Sequence, residues 1–150
     1  MLKKDNCQSY TIEAFRFYAA MGRPTFLQAK AKVVIDAVKN CGGDEQAAIL
    51  AGQTAVRDNT AMLLDIYAVE KMLEILKFAH KDYIIRAVEE VYFVSPKAPL
   101  KRGALTARVR RAAFTLYCDE RTVYFHLREA RRLFASLRGL RMDDKKERSL

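Results

Sequence analysis

Apolar residues recur along this chain every three or four positions, and no stretch keeps a period-two alternation. That spacing predicts α-helices almost throughout. A short first helix is expected from about Thr11 to Ala20, with Ile12, Phe15 and Ala19 on one face and Gly22 ending it. Pro24 suits the first turn of a second helix. Its core stripe would be Leu27, Ala31, Val34, Ile35 and Val38, and Gly42-Gly43 stops it. Asp44 is placed to cap a third helix through Ala48, Ala51 and Ala55, small residues that permit close packing. Asn59-Thr60 breaks the chain, with Thr60 capping a fourth helix. In that fourth helix Met62, Ile66, Val69, Leu73 and Leu76 follow a 4-3-4-3 spacing. This fits an internal bundle helix or, as the alternative, a coiled-coil-like seam for a homodimer.

A further helix is predicted from Asp82 to Phe93, with Ile85, Val88 and Tyr92 inward. The run Val94-Ser95-Pro96-Lys97-Ala98-Pro99 cannot continue it, because the residue before each proline is pushed towards extended geometry. This linker ends at Lys101-Arg102-Gly103. Leu105 to Leu116 reads as the next helix, Tyr117-Cys118-Asp119 as a tight connection, and Glu120 to about Leu137 as the last helix. The tail from Arg141 to Leu150 is almost entirely charged and is expected to fray. The fold class is therefore all-α, a helical bundle. Residues 1–60 form an N-terminal helical region, 61–140 a helical domain, and 141–150 a charged tail.

The charge changes the picture. Of 150 residues, 27 are Lys or Arg and 18 Asp or Glu, a net +9. Residues 1–96 hold twelve of each sign, so the whole excess lies in 97–150. Such asymmetry points to a polyanion, nucleic acid first and an anionic membrane second. Cys7, Cys41 and Cys118 lie far apart without a CxxC, which argues against a disulfide framework and for a cytoplasmic chain. The longest charge-free stretch, Gln46 to Val56, is too short for a membrane span. Lys3, Lys4 and Asp5 stand close behind Met1 with no apolar segment after them, so no secretory signal is expected.

The segment from Ala112 to Leu127 has a helix-turn-helix layout, and the whole unit would run over about 104–138. Ala113 lets two helices cross closely, Leu116 closes the first onto the core, and Asp119 caps the second. On a wheel of about 100° per residue, Val123, Leu127, Ala130, Phe134 and Leu137 share the core face, flanked by His126 and Leu133. Nearly opposite lie Arg121, Phe125, Arg128 and Arg132. Arginine forks match guanine edges and phosphates, and Thr122 and Tyr124 flank the strip as candidate phosphate contacts. Phe125 on a polar face could meet a thymine methyl or a protein partner. Arg108, Arg110 and Arg111 on the preceding helix, with Lys101 and Arg102 before it, would add phosphate contacts.

These residues carry a resemblance. Asp119-Glu120-Arg121-Thr122-Val123-Tyr124, followed by Leu127-Arg128-Glu129-Ala130, resembles the recognition-helix pattern of sigma-70 region 4-like helix-turn-helix proteins. Upstream, Asp65–Glu70 and the stretch from Asp82 to Phe93 resemble the preceding helices of phage-encoded regulators of the ArpU and RinA type. The resemblance covers about residues 62–138 and is most specific at 112–130. It implies double-stranded promoter or operator DNA as ligand, transcriptional control as role, and Arg121, Thr122, Phe125 and Arg128 as base-side contacts. RNA polymerase is a further candidate partner for the N-terminal 60 residues, as is self-association. The sequence departs from the pattern at Tyr117, where such turns commonly carry Gly, at Cys118, where an aliphatic is usual, and in the length of 94–103.

No HExxH, GxSxG, P-loop or GxGxxG occurs, and His80 and His126 are too distant to suggest a metal pair. Glu89-Glu90 and Asp143-Asp144 are neighbours that do not form a catalytic pair. We therefore expect no enzyme, metal or cofactor. Two further readings remain open: a helical protein–protein adaptor built on the same scaffold, and peripheral binding to an anionic membrane through the last helix.

Overall fold

The computed structural model describes the backbone of residues 2–140 and the side chains of residues 8–140. The expectation that 141–150 frays lies outside these residues, as does the side chain of Cys7. Among the described residues there are seven α-helices, one π-helical stretch and no strand. In chain order they are α1 (Leu2–Ala20), α2 (Phe26–Val38), α3 (Glu45–Asp58), α4 (Thr60–Phe78), α5 (Asp82–Val88), the π-helix (Glu89–Phe93), α6 (Ala104–Thr115) and α7 (Glu120–Arg138). None of them is long and apolar enough to cross a membrane.

Most of these elements end where local chemistry requires. Thr25, not Pro24, starts α2: its hydroxyl accepts from the Gln28 amide while the Gln28 side chain accepts from the Thr25 amide, a complete capping box. Asp44 caps α3 through the Ala47 amide. Between α3 and α4 only Asn59 lies outside a helix. Thr60 does not cap α4 as expected; it is the first residue of that helix, and its hydroxyl donates back to the Val56 and Arg57 carbonyls that end α3. The Asn59 amide reaches the same two carbonyls, so the hydroxyl adds a second donor at the helix end.

One core gathers α1, α4, α5, the π-helix, α6 and α7, and α2 adds Ala29 to it along α4. At its centre Phe15 packs edge-on to Phe134 at 5.3 Å between ring centroids and against Tyr92 at 5.6 Å. The 4-3-4-3 positions of α4 face this core: Ile66, Val69 and Leu76 are buried and Met62 and Leu73 half-buried, beside Leu63, Ala68 and Met72. The seam considered for a homodimer is thus filled by the chain itself. Since α1 packs into the same core as α4 to α7, no break in packing separates residues 1–60 from 61–140. The part that stands apart is the α2–α3 hairpin, whose helices pack chiefly on each other, with Gly52 of α3 against Val34 of α2.

Three apolar faces differ from the expected ones. On α2 the predicted stripe is split: Leu27, Ala31 and Ile35 are exposed, Val34 and Val38 are half-buried, and Ala29 is the buried residue. The pattern there reports an amphipathic helix but not which way its face turns. On α5 Ile84 is fully buried together with Ala87 and Val88, while Ile85 is half-buried at the edge of the core. The wider π turn brings Val91 and Tyr92 inward together. On α7 Val123, Leu127, Ala130 and Phe134 are buried as expected, but Leu137 is partly exposed and Ala135 is buried.

Candidate nucleic-acid interface

Much of the basic excess of residues 97–150 falls on α6 and α7, which carry eight arginines against Glu120 and Glu129, and Lys97, Lys101 and Arg102 precede them. The turn between the two helices is built by backbone bonds: the Tyr117 amide donates to the Phe114 carbonyl (3.4 Å) and the Cys118 amide to the Ala113 carbonyl (3.0 Å). This paired closure is the Schellman motif, which needs a left-handed residue at its close. Tyr117 supplies it at φ +56°. Cys118 then lies half-buried against the core. Asp119 ends the turn and caps α7, accepting from the Thr122 amide (2.9 Å) and the Thr122 hydroxyl (2.7 Å). Those bonds, the hydroxyl first, hold the Asp119 carboxyl below its ordinary range.

With its apolar side turned to α1, α4, α5 and α6, α7 sends Arg121, Phe125 and Arg132 to solvent, with Arg128 partly covered and Tyr124 exposed beside them. Arg121 and Arg128 form no ion pair among the described residues. Thr122 is adjacent to the strip, but its hydroxyl proton is committed to Asp119. Arg111 is exposed on α6. Lys101 and Arg102 are exposed at the far end of that helix; its twelve residues separate them from the turn by about 18 Å.

Arg108 does not join this face. Its guanidinium donates to the Val91 carbonyl (3.1 Å), satisfying the end of the π-helix. Burial lowers its pKa, and the neighbouring cations Arg16 and Arg111 add to that shift. Other arginines are tied inward as well. Arg131 donates to the Tyr92 hydroxyl (2.7 Å), and Arg138 pairs with Asp65 (2.7 Å), which also accepts from the Tyr10 hydroxyl. Arg110 reaches Glu120 at 3.9 Å, linking α6 to the first turn of α7. Arg16 anchors the 94–103 connection by donating to the Ser95 and Ala98 carbonyls.

Two further aromatic side chains join the site: Phe114, which the sequence pattern did not single out, and Tyr117, noted there only as a departure at the turn. Phe114 is 86% exposed and Tyr117 96% exposed, bordering the turn on either side of Leu116, and Phe125 is 58% exposed on α7. The signal for Phe114 was present, since it lies away from the Val109 and Ala113 side of the α6 wheel, as Phe125 lies away from the core side of α7. His126 leans against Tyr83, with 4.9 Å between ring centroids, and burial lowers its pKa while Glu129 opposes that shift. Among the described residues no three His, Cys, Asp or Glu side chains converge in a way that could hold a metal ion. The arrangement can present fixed cations and flat apolar rings to a ligand surface. Comparison with family models, with curated proteins and with solved structures returned no match.

Proposed function

We propose that this chain is a sequence-specific DNA-binding transcriptional regulator that uses α6, the turn and α7 as a helix-turn-helix, with α7 in the major groove. The observation that carries the reading is the division among its arginines. Arg108, Arg131 and Arg138 are bound to the protein's own groups, whereas Arg121 and Arg128 stand on the outward side of a capped helix without an ion pair among the described residues. The charge excess of residues 97–150 supports the same ligand. The resemblance of 119–130 to sigma-70 region 4-like and phage regulators supports promoter or operator DNA in the cytoplasm, with RNA polymerase as a second partner.

In this reading Arg121, Phe125 and Arg128 face bases, Tyr124, Arg132 and Arg111 face phosphates, and Lys101 and Arg102 reach the backbone farther along the duplex. Thr122 acts through its cap rather than as a donor to DNA. Fluorescence anisotropy on duplexes selected from a random pool tests this. With about six phosphates neutralised, affinity should fall several hundredfold or more from low to moderate salt. Arg121→Ala or Arg128→Ala should weaken the selected site by about 1–3 kcal/mol. Absence of binding even at low salt removes the proposal.

One observation favours a second reading, a protein adaptor: Phe114, Tyr117 and Phe125 are solvent-exposed around a single turn. Exposed aromatics of this kind anchor protein interfaces. In that case Phe125→Ala abolishes partner binding, and the arginine variants change it little.

A further inference from the structure

We infer that the outer face of the α2–α3 hairpin is a self-association surface whose occupant is a second copy of this chain. On α2, Leu27 (74% exposed), Ala31 and Ile35 stand in solvent at four-residue spacing, and on α3 Ile49 and Leu50 are exposed. Four large aliphatic side chains on one small hairpin exceed the scattered exposure that soluble surfaces carry. Between the helices runs an open groove of about 410 Å³, lined by Lys30, Val34, Ala48, Ile49, Gly52 and Gln53. Val34 packs over Gly52 at its floor, and the small side chain of Ala48 leaves room beside it for an aliphatic side chain from outside.

Charge identifies the occupant. With its cap, α2 carries Lys30, Lys32 and Lys39 against Asp36, a net +2; Asp36 already bonds Lys32 (3.2 Å) and Lys39 (3.7 Å). With its cap, α3 carries Asp44, Glu45 and Asp58 against Arg57, a net −2. The hairpin is neutral overall but polarised between its two helices. A polyanion gains nothing from it, and a partner of one sign matches only one helix. A two-fold axis sets α2 of each copy on α3 of the other, so both contacts pair unlike charges and every contact occurs twice. Lys30 at the groove and Glu45, on the groove side of the α3 wheel, form no ion pair among the described residues and so are free to meet across the axis. The assembled interface is a four-helix arrangement in which Leu27 and Ile35 of one copy fill the groove of the other.

The hairpin is remote in sequence from α7, so its self-association holds whether or not α7 reads DNA. The test is sedimentation equilibrium of the full chain, treated with nuclease, over a micromolar concentration series. The wild type should be a dimer. Leu27→Glu, at an exposed position that leaves helix content unchanged by circular dichroism, should raise the dimer dissociation constant about 30-fold or more. Lys30→Glu and Glu45→Lys should each weaken self-association, and an equimolar mixture of the two should dimerise better than either alone, since the mixed pair restores unlike charges across the axis. A wild type that stays monomeric overturns the proposal, whatever other partner it captures. A dimer that survives Leu27→Glu, or a mixture no better than its components, overturns it equally.

Discussion

Tyr117 holds a backbone conformation that L-residues disfavour, φ +56°, with a side chain 96% exposed. A left-handed residue at this position closes α6, and glycine fills it without a Cβ penalty. Tyrosine gives up roughly 1 kcal/mol for the same geometry and gains no packing, because its ring lies in solvent. Strain of this kind clusters at functional sites. Tyr117→Gly should therefore stabilise the fold by about 1 kcal/mol in urea unfolding while weakening ligand binding at the turn. Equal or lower stability would mean that the ring packs. His80 closes α4 in the same way at φ +61°. The departure that the sequence shows at residue 117 is one of residue type: the backbone keeps the conformation glycine would take.

At the scale of elements, patterns that depend on few neighbours were legible. The Asp44 and Asp119 caps, the break at Asn59, the buried series Val123, Leu127, Ala130 and Phe134, and the all-helical class are present in the structure. Thr25 with Gln28 three residues later is an equally readable cap, overshadowed by the neighbouring Pro24. What a wheel of constant pitch cannot show is a change of pitch. Tyr92 faces inward as the wheel has it, its hydroxyl meeting Arg131, but the π-helix after Val88 buries Val91 beside it and opens the Val91 carbonyl to Arg108. Burial raises the Tyr92 pKa while Arg131 opposes the rise. The Nε of Arg131 is buried without a partner, so its guanidinium leans on the Tyr92 hydroxyl in this wall of the core. Tyr92→Phe should cost about 1–3 kcal/mol by denaturant titration, because it strands a charged donor. Adding Arg131→Met should recover much of that loss, since an apolar pair replaces a half-satisfied one. A double variant as unstable as the sum of the singles would show that the two groups act independently.

In the whole molecule, the resemblance and the charge asymmetry both lie in residues 62–150, and that concentration of signal hid the part the first helix plays. The apolar pattern of α1 is legible only from about Thr11, although the helix begins at Leu2, and its role depends on partners more than seventy residues away. Phe15 touches Tyr92 and Phe134, Tyr18 packs on Phe93 at 5.8 Å, and Arg16 holds the 94–103 connection. Just past the helix, Arg23 pairs with Glu89 at 2.9 Å while lying over the Phe93 ring. The outward strip of α7 is positioned from behind by these contacts, because Phe134 and Tyr92 set the depth at which α7 lies. Phe15→Ala should then cost about 3–5 kcal/mol, a large share of the roughly 5–15 kcal/mol that domains of this kind possess. A fragment of residues 61–150, though it holds the whole candidate interface, should lose its near-ultraviolet dichroism and its cooperative melting transition. Supplying residues 2–58 as a separate chain should restore both, since the missing contacts are between surfaces and need no covalent link. A fragment 61–150 that melts cooperatively near the temperature of the full chain would show instead that α1 decorates a core able to stand without it.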